Sequence, residues 1–178
     1  MWYNYRSEGG KTMITNTARG NIFDTKAKHI AFSINAEGAL GGGFDGQVVE
    51  KGWPELLRCG ANPVGTVLSK TIDGVTYHAL VTHSLEAGWG TPEEQWENTR
   101  LCFDNIPVPD DETIASIAIG TGFIGAISGA SPKHIVCGMC DSKKNVTIYG
   151  FSMEAIKKVY DEESAKYKKG SQPGEEEN

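Results

Sequence analysis

A short apolar run that ends in a polar residue and a glycine-rich segment constrains this chain more than any other feature. The run is Ile30–Asn35. The glycines that follow it are Gly38, Gly41, Gly42, Gly43 and Gly46. An uninterrupted apolar run with polar residues on either side is typical of a strand buried on both faces. The sequence therefore predicts a central strand that leads into a loop with a bare backbone.

Such a loop, at the carboxyl end of a strand and the start of a helix, can hold an anion through its exposed N–H groups and the positive end of the helix. The alternative is that the glycines only make a mobile turn. A second transition of the same kind favours the anion site, because the apolar run Ile114–Ile119 leads into Gly120, Thr121 and Gly122. Ligands of open α/β sheets bind beyond the carboxyl ends of the strands. We therefore expect one cleft with a diphosphate between the two loops.

The order of these motifs resembles that of the macrodomains, which bind ADP-ribose. The matching motifs are Gly20-Asn21-Ile22, the strand that ends in Asn35, the glycines Gly41, Gly42 and Gly43, and Ile119 to Phe123. Within that family, the chain looks most like the branch that contains ADP-ribose-1″-phosphate phosphatases and terminal ADP-ribose protein glycohydrolases. The resemblance covers roughly Thr15 to Phe151. It implies a three-layer α/β/α macrodomain-like fold with a mixed, mostly parallel sheet of about six strands.

Local signals agree with an α/β domain of alternating strands and helices. The dipeptide Asp73-Gly74 accepts positive φ and predicts a hairpin. Thr91 and Glu94 form a capping box with Pro92 between them. The predicted helices are 44–51, 92–105, one that opens at Ser131-Pro132, and 153–168; the predicted strands include 13–17, 64–68, 75–82 and 145–151.

Length and charge limit the number of domains and the kinds of partner that the chain can have. Its 178 residues suit one domain, which we place at residues 13–169. Residues 1–12 are expected to form an N-terminal extension or edge strand, and residues 170–178 an acidic disordered tail. A net charge of −6 makes nucleic acid an unlikely partner. The sequence lacks a membrane-length apolar stretch and a signal-peptide core, so we expect no membrane association and a cytoplasmic location.

The four cysteines are too few and too irregularly spaced for a secreted disulfide framework. His134, Cys137 and Cys140 could ligate a metal or form a redox pair. A structural zinc site needs a fourth ligand, and none is spaced to match. We expect reduced thiols on a helix, no metal and no cofactor.

The resemblance implies a set of ligand-binding residues. They are Asn21, Ile22, Asn35, Gly41, Gly42, Gly43, Phe44, Gly120, Thr121, Gly122, Phe123 and Ile124. Many relatives carry an aspartate at the place of Asn21, where it accepts a hydrogen bond from the adenine amino group. An amide oxygen still accepts that bond but lacks the charge that strengthens it. The other interpretation is that Asn21 only shapes a turn.

The resemblance also implies candidate catalytic residues. Asn35 would contact the ribose farther from adenine, or it caps the strand end. Asp45 would activate or orient a water molecule, although an acid in a first helical turn is favoured by the helix dipole alone. Independently of the resemblance, His83 follows the strand end at Thr82 and could be a general acid or a phosphate contact, and Trp89 could be a wall of the distal pocket. Otherwise both belong to an ordinary loop.

Two departures from the family limit the inference of catalysis. Phe32 stands where related phosphatases have a histidine, and the nearest equivalent of the glycohydrolase lysine is Lys51. The primary hypothesis is an ADP-ribose-binding macrodomain that hydrolyses an ADP-ribose derivative and removes ADP-ribose from a modified protein. The alternatives are a non-catalytic reader or sequestering module for ADP-ribose or a related signalling nucleotide, and an ADP-ribose-1″-phosphate phosphatase. The expected partners are ADP-ribose or its derivative and an ADP-ribosylated protein.

Overall fold

The structure, a computed structural model, describes residues 3–6 and 12–170, with side chains for 16–122 and 125–167. The strands are β1 (Tyr3–Arg6), β2 (Thr12–Ala18), β3 (His29–Asn35), β4 (Val67–Ile72), β5 (Val75–His83), β6 (Thr113–Ser116) and β7 (Asn145–Tyr149). The helices are α1 (Phe44–Gly52), α2 (Pro92–Asp104), α3 (Phe123–Ile127), α4 (Pro132–Asp141) and α5 (Met153–Gly170), with 3-10 turns at Ile22–Asp24 and Pro54–Arg58. The predicted tail at 171–178 lies outside the described residues.

One mixed sheet organises the described residues, in the order β1-β2-β7-β6-β3-β5-β4. The four inner pairings are parallel, and the outer pairings β1·β2 and β5·β4 are antiparallel. The sheet has seven strands, because Tyr3–Arg6 adds an edge strand to the expected six or so. The predicted α/β class with a mixed, mostly parallel sheet is confirmed.

Helices cover both faces of the sheet, so the core has two halves. On one face, α1 and the turn at Pro54–Arg58 pack over Phe32 and Val81. On the other face, α2, α4 and α5 pack over Ala31 and Leu80. Strand β3 is therefore buried on both sides, with Ile30, Ala31 and Phe32 no more than 1% exposed, as its apolar run predicts.

Two local signals in the sequence correspond to observed geometry. Asp73 and Gly74 both have positive φ (51° and 83°) and join β4 to β5 in a two-residue hairpin. Helix α2 begins with the complete capping box of Thr91 and Glu94. The strand before the hairpin runs over Val67–Ile72 and not over 64–68, because Gly65 has φ +101° and breaks the extended backbone.

The run His134, Cys137 and Cys140 lies on α4, against α5. Both thiols are buried, and burial raises the pKa of the Cys137 thiol. His134 Nδ1 contacts Ser131 Oγ at 2.6 Å and Nε2 contacts Glu163 Oε1 of α5 at 3.2 Å, so both ring nitrogens have partners other than the thiols. Within the described residues, no group of three or more His, Cys, Asp or Glu side chains is arranged to hold a metal ion.

Among the helices in the described part of the chain, none combines the length with the apolar character that crossing a bilayer requires.

Candidate ligand-binding cleft

The candidate site lies where two neighbouring parallel strands end. Strands β3 and β6 are adjacent, and their loops leave the same edge of the sheet. The loop after β3 leads to α1 on one face, whereas the loop after β6 leads through α3 to α4 on the other. Two loops that diverge in this way open a crevice between them, which is where open α/β sheets bind ligands.

A cavity of about 730 Å³ fills this crevice. Three segments line it: the end of β3 with the glycine loop, the end of β5 with its loop, and the loop after β6. The lining residues are Ser33, Ile34, Asn35, Ala39, Leu40, Gly41, Gly42, Gly43, Phe44, Asp45, His83, Leu85, Trp89, Ile117, Ala118, Gly120, Thr121, Gly122 and Gly125. Gly42 and Gly122 thus face the same space, as two loops gripping one diphosphate require.

Backbone N–H groups are the anion donors that this cavity offers. In the described part of the chain, the N–H groups of Gly42, Gly43 and Gly122 donate to no protein acceptor. The described lining contains no lysine or arginine, and its ionisable side chains are Asp45 and His83. A bound diphosphate would therefore be held by backbone dipoles and not by side-chain charge.

The glycines at the centre of the two loops also have room for a close ligand. A Cβ atom at Gly42 or Gly122 would meet nothing within 4 Å, and neither residue needs a left-handed φ. The fold itself therefore does not require glycine at these positions. Close approach of a ligand to the backbone is a physical reason for glycine there.

The Asn35 side chain closes the beginning of the first loop. Its Nδ2 donates to Ala39 O at 2.6 Å, and its Oδ1 accepts from Ala39 N at 3.0 Å. These two hydrogen bonds to the Ala39 backbone are the strand-end cap that the sequence left open as an alternative. The amide still lines the cavity, with one further donor hydrogen and one further lone pair for a ligand.

The Asp45 carboxylate holds the glycine loop against the first turn of α1. Its Oδ2 accepts from Gly41 N at 3.0 Å, and its Oδ1 accepts from Gly46 N at 2.8 Å. An acid at the start of a helix is favoured by the helix dipole. Asp45 therefore has a structural role in forming the loop, and it also lines the cavity beside the candidate diphosphate site.

His83 and Trp89 form the wall of the cavity beyond β5. Their rings stack with centroids 4.0 Å apart and planes within 7°. Burial lowers the pKa of His83 to about 4, with nearby Glu37 acting in the opposite direction. With this low pKa the ring is expected to be neutral at pH 7, which favours a hydrogen-bonding role for His83 over that of a general acid. A neutral imidazole can still accept a proton or form a hydrogen bond.

The residues of the Asn21 motif lie beside the cavity and do not line it. Asn21 Oδ1 accepts from Phe23 N at 3.0 Å and caps the 3-10 turn, which is the turn-shaping role. Ile22 is buried in the core. Phe23 stacks on the cavity residue Phe44, with centroids 5.1 Å apart, and so ties this motif to the first glycine loop.

The two positions that depart from the macrodomain pattern are Phe32 and Lys51. Phe32 is fully buried and packs against Phe44 and Trp53, so this position offers no proton-transfer group to the cavity. Lys51 Nζ lies 4.6 Å from the centre of the Phe23 ring and does not line the cavity. The helical backbone of Phe123 and Ile124 belongs to α3, but their side chains lie outside the described part of the structure.

Comparison with known proteins gives the fold a name. No protein-family model matches the sequence, and no curated protein matches it significantly. Among solved structures, the Oceanobacillus iheyensis macrodomain with MES bound superimposes with a TM-score of 0.59 at 18% identity, over 96% of this chain and 98% of that one. The chain has the macrodomain fold.

Two further structures share this macrodomain fold. The Trypanosoma brucei macrodomain in complex with ADP-ribose matches with a TM-score of 0.53 at 15% identity, over 83% of this chain and 68% of that one. An alphavirus P23pro-zbd structure matches with a TM-score of 0.56 at 18% identity. The match covers 91% of this chain but 25% of the alphavirus chain, so a longer protein there contains a domain of this fold.

Sequence reasoning missed the residues that hold the loops around the cleft of this macrodomain fold in place. Glu37 binds the loop after β5, and Gln95 joins that loop to the segment after α3. Leu85 lines the cavity although it is 44% exposed. A polar residue in a glycine-rich loop and a lone glutamine on a helix have no periodic signal. Apart from Gly90, which is five positions from Gln95, their partners lie 34 to 48 positions away along the chain.

Proposed function

We propose that this chain binds ADP-ribose in the cleft between the loops after β3 and β6. The observation that carries the proposal is that two bare-backbone loops, following adjacent parallel strands, face one cavity. The unpaired N–H groups of Gly42, Gly43 and Gly122 would hold the diphosphate. Because the described lining contributes no cation, the fixed orientation of these backbone groups supplies the attraction.

The strand order supports an orientation for the ligand. The motif with Asn21 follows β2, which lies two strands beyond β6, or about 10 Å at the usual strand spacing. The adenosine would extend toward β7 and β2, where Asn21 is exposed. The second ribose would extend the other way, toward Asn35 and the end of β5.

Neighbouring structures support the same ligand. The Trypanosoma brucei macrodomain was solved with ADP-ribose and with ADP, and the Oceanobacillus iheyensis macrodomain with ADP. Variants of the latter alter an asparagine, a glycine seven positions later and an aspartate ten positions after the asparagine. Asn35, Gly42 and Asp45 have the same residue types and the same separations here.

We further propose hydrolysis of a bond at the second ribose, as in the removal of ADP-ribose from a modified protein. Asn35 and Asp45 would orient the ribose and a water molecule. A reader without turnover is the second candidate, because both side chains are already bonded to backbone groups of their own loop. A phosphatase for ADP-ribose-1″-phosphate is the least favoured, since Phe32 offers no proton-transfer group and Asp45 would repel the terminal phosphate.

A calorimetric titration with ADP-ribose tests the binding proposal. We expect a saturable isotherm, whereas no heat of binding at millimolar ligand would refute it. Incubation with an ADP-ribosylated protein, followed by detection of free ADP-ribose, separates the hydrolase from the reader. Incubation with ADP-ribose-1″-phosphate, followed by a phosphate assay, tests the third candidate.

A further inference from the structure

Two loops meet at the end of the cleft beyond β5, and one carboxylate joins them. Glu37, in the loop after β3, accepts from Ser84 Oγ at 2.6 Å and from Leu85 N at 2.7 Å. Ser84 Oγ in turn accepts from the N–H groups of Glu86 and Ala87, both at 3.1 Å. The Glu37 carboxylate therefore organises the whole turn that follows β5.

This turn contributes the wall of the cavity at that end. Leu85 and Trp89 line the cavity, as does His83, the last residue of β5. Trp89 stacks on His83, and its Nε1 donates to Ser128 Oγ at 2.8 Å in the segment after α3. Glu37 itself does not line the cavity. Its effect on a ligand would pass through the position of Leu85 and its neighbours.

The Glu37 bonds are those of an ionised carboxylate. The hydrogen bond from Ser84, followed by that from the Leu85 backbone, lowers the pKa of Glu37 to about 2. At neutral pH both donors therefore bond to a charged acceptor, and bonds of this kind are shorter and stronger than neutral ones. A glutamine at this position would keep the size of the side chain but lose that charge.

We propose that Glu37 is a positioning residue for the subsite that takes the second ribose. This inference rests on the proposed function and on the orientation given for the ligand. ADP ends at its second phosphate and does not reach the wall that Glu37 positions. ADP-ribose carries its second ribose against that wall. Glu37 therefore contributes to the preference for ADP-ribose over ADP.

The test compares the affinities of ADP and ADP-ribose by calorimetry in the native chain, Glu37→Ala and Glu37→Gln. Glu86→Gln is the matched control, because Glu86 is an exposed acid of the same turn and does not line the cavity. We expect Glu37→Ala to lower the affinity for ADP-ribose about tenfold, which is the effect of losing one good contact. The affinity for ADP should change by less than about twofold. Glu37→Gln should show a smaller loss for ADP-ribose alone, and Glu86→Gln no change.

The outcomes separate this inference from the proposed function. If the native chain binds neither ligand, the proposed function fails and the inference fails with it. If the native chain binds both but Glu37→Ala weakens them equally or not at all, ADP-ribose binding stands and the positioning role is refuted. A thermal melt of each variant identifies unfolding. The ADP affinity of the same sample provides the reference, because misfolded protein would lose both ligands together.

Discussion

Individual glycines in the two loops have different physical roles. A Cβ at Gly125 would lie 2.7 Å from Gly120 O, and Gly38 has φ +72° with the Gly60 carbonyl against its open side. These glycines are required by the fold. Gly42 and Gly122 have neither constraint, so the fold alone would accept a side chain at either position.

Valine at either of the open positions should therefore affect the ligand and spare the fold. For Gly42→Val and Gly122→Val we expect ADP-ribose affinity to fall by roughly 10- to 100-fold, since blocking one or two charge-assisted bonds costs about 1.5–3 kcal/mol. Calorimetry measures the affinity, and a thermal melt should show an unchanged midpoint. Ala61→Val, at an exposed site outside the cavity, is the control. Native affinity in both glycine variants would place the ligand elsewhere.

Asn35 allows a prediction about rate and affinity. We expect Asn35→Ala to lower the turnover of an ADP-ribosylated protein by about tenfold, because the contact of Asn35 would orient the ribose for reaction. The affinity for ADP-ribose should fall by no more than about threefold. Initial rates and calorimetry give the two values. Asn62→Ala is a suitable control, since Asn62 also bonds to loop carbonyls but does not line the cavity. An unchanged rate in Asn35→Ala would remove this residue from the site.

At the scale of elements, the sequence predicts those features that depend on residues close together along the chain. The capping box at Thr91 and the hairpin at Asp73-Gly74 are local, and both are present. The convergence of the loops after β3 and β6 follows from parallel strand order, which the two glycine transitions suggest. The bonds of Gln95 to Gly129 and Ser131 depend on partners 34 and 36 positions away, so no local pattern specifies them.

Gln95 provides a test of how the elements around the cleft are joined. This buried side chain donates to Gly90 O and Gly129 O and accepts from Ser131 N, so it links α2 to both loops. Gln95→Met keeps the volume but leaves three backbone groups without partners. We expect a loss of about 2–3 kcal/mol in the free energy of unfolding, measured by urea denaturation. The exposed Gln47→Met should lose less than about 0.5 kcal/mol. Equal stability of the two variants would contradict this role.

At the scale of the whole molecule, the end of the sheet opposite the cleft carries a chain of polar contacts. His29 opens β3, whereas Asn35 ends it at the cleft. His78 Nδ1 contacts Ser69 Oγ at 2.7 Å, and His78 Nε2 contacts His29 Nδ1 at 3.0 Å. His29 Nε2 lies 3.7 Å from Glu112 Oε1. The four residues come from three strands and the segment before β6, so only the assembled sheet brings them together.

Two buried histidines, His78 in this chain of contacts and His83 at the cleft, should make the stability of the molecule depend on pH. Burial, then the charges of His29 and Lys144, lower the pKa of His78 to about 4, and burial likewise lowers that of His83 to about 4. An unfolded histidine titrates near ~6.5, so between these values the unfolded state binds protons that the native state does not. Stability is therefore fully present above about pH 6.5 and falls as the pH decreases toward 4, by up to ~1.4 kcal/mol per pH unit for each histidine.

Urea denaturation at pH 7, 6.5, 6, 5.5 and 5 measures this dependence while most carboxylates remain ionised. In His78→Gln, we expect the slope of unfolding free energy against pH to decrease by up to ~1.4 kcal/mol per pH unit, because one of the depressed histidines is gone. The remaining slope would come from His83, together with His29 and His134, whose pKa values burial also lowers. The slope is the informative quantity, since glutamine can change the stability itself at every pH. If His78→Gln keeps the slope of the native chain, His78 does not contribute to the acid sensitivity.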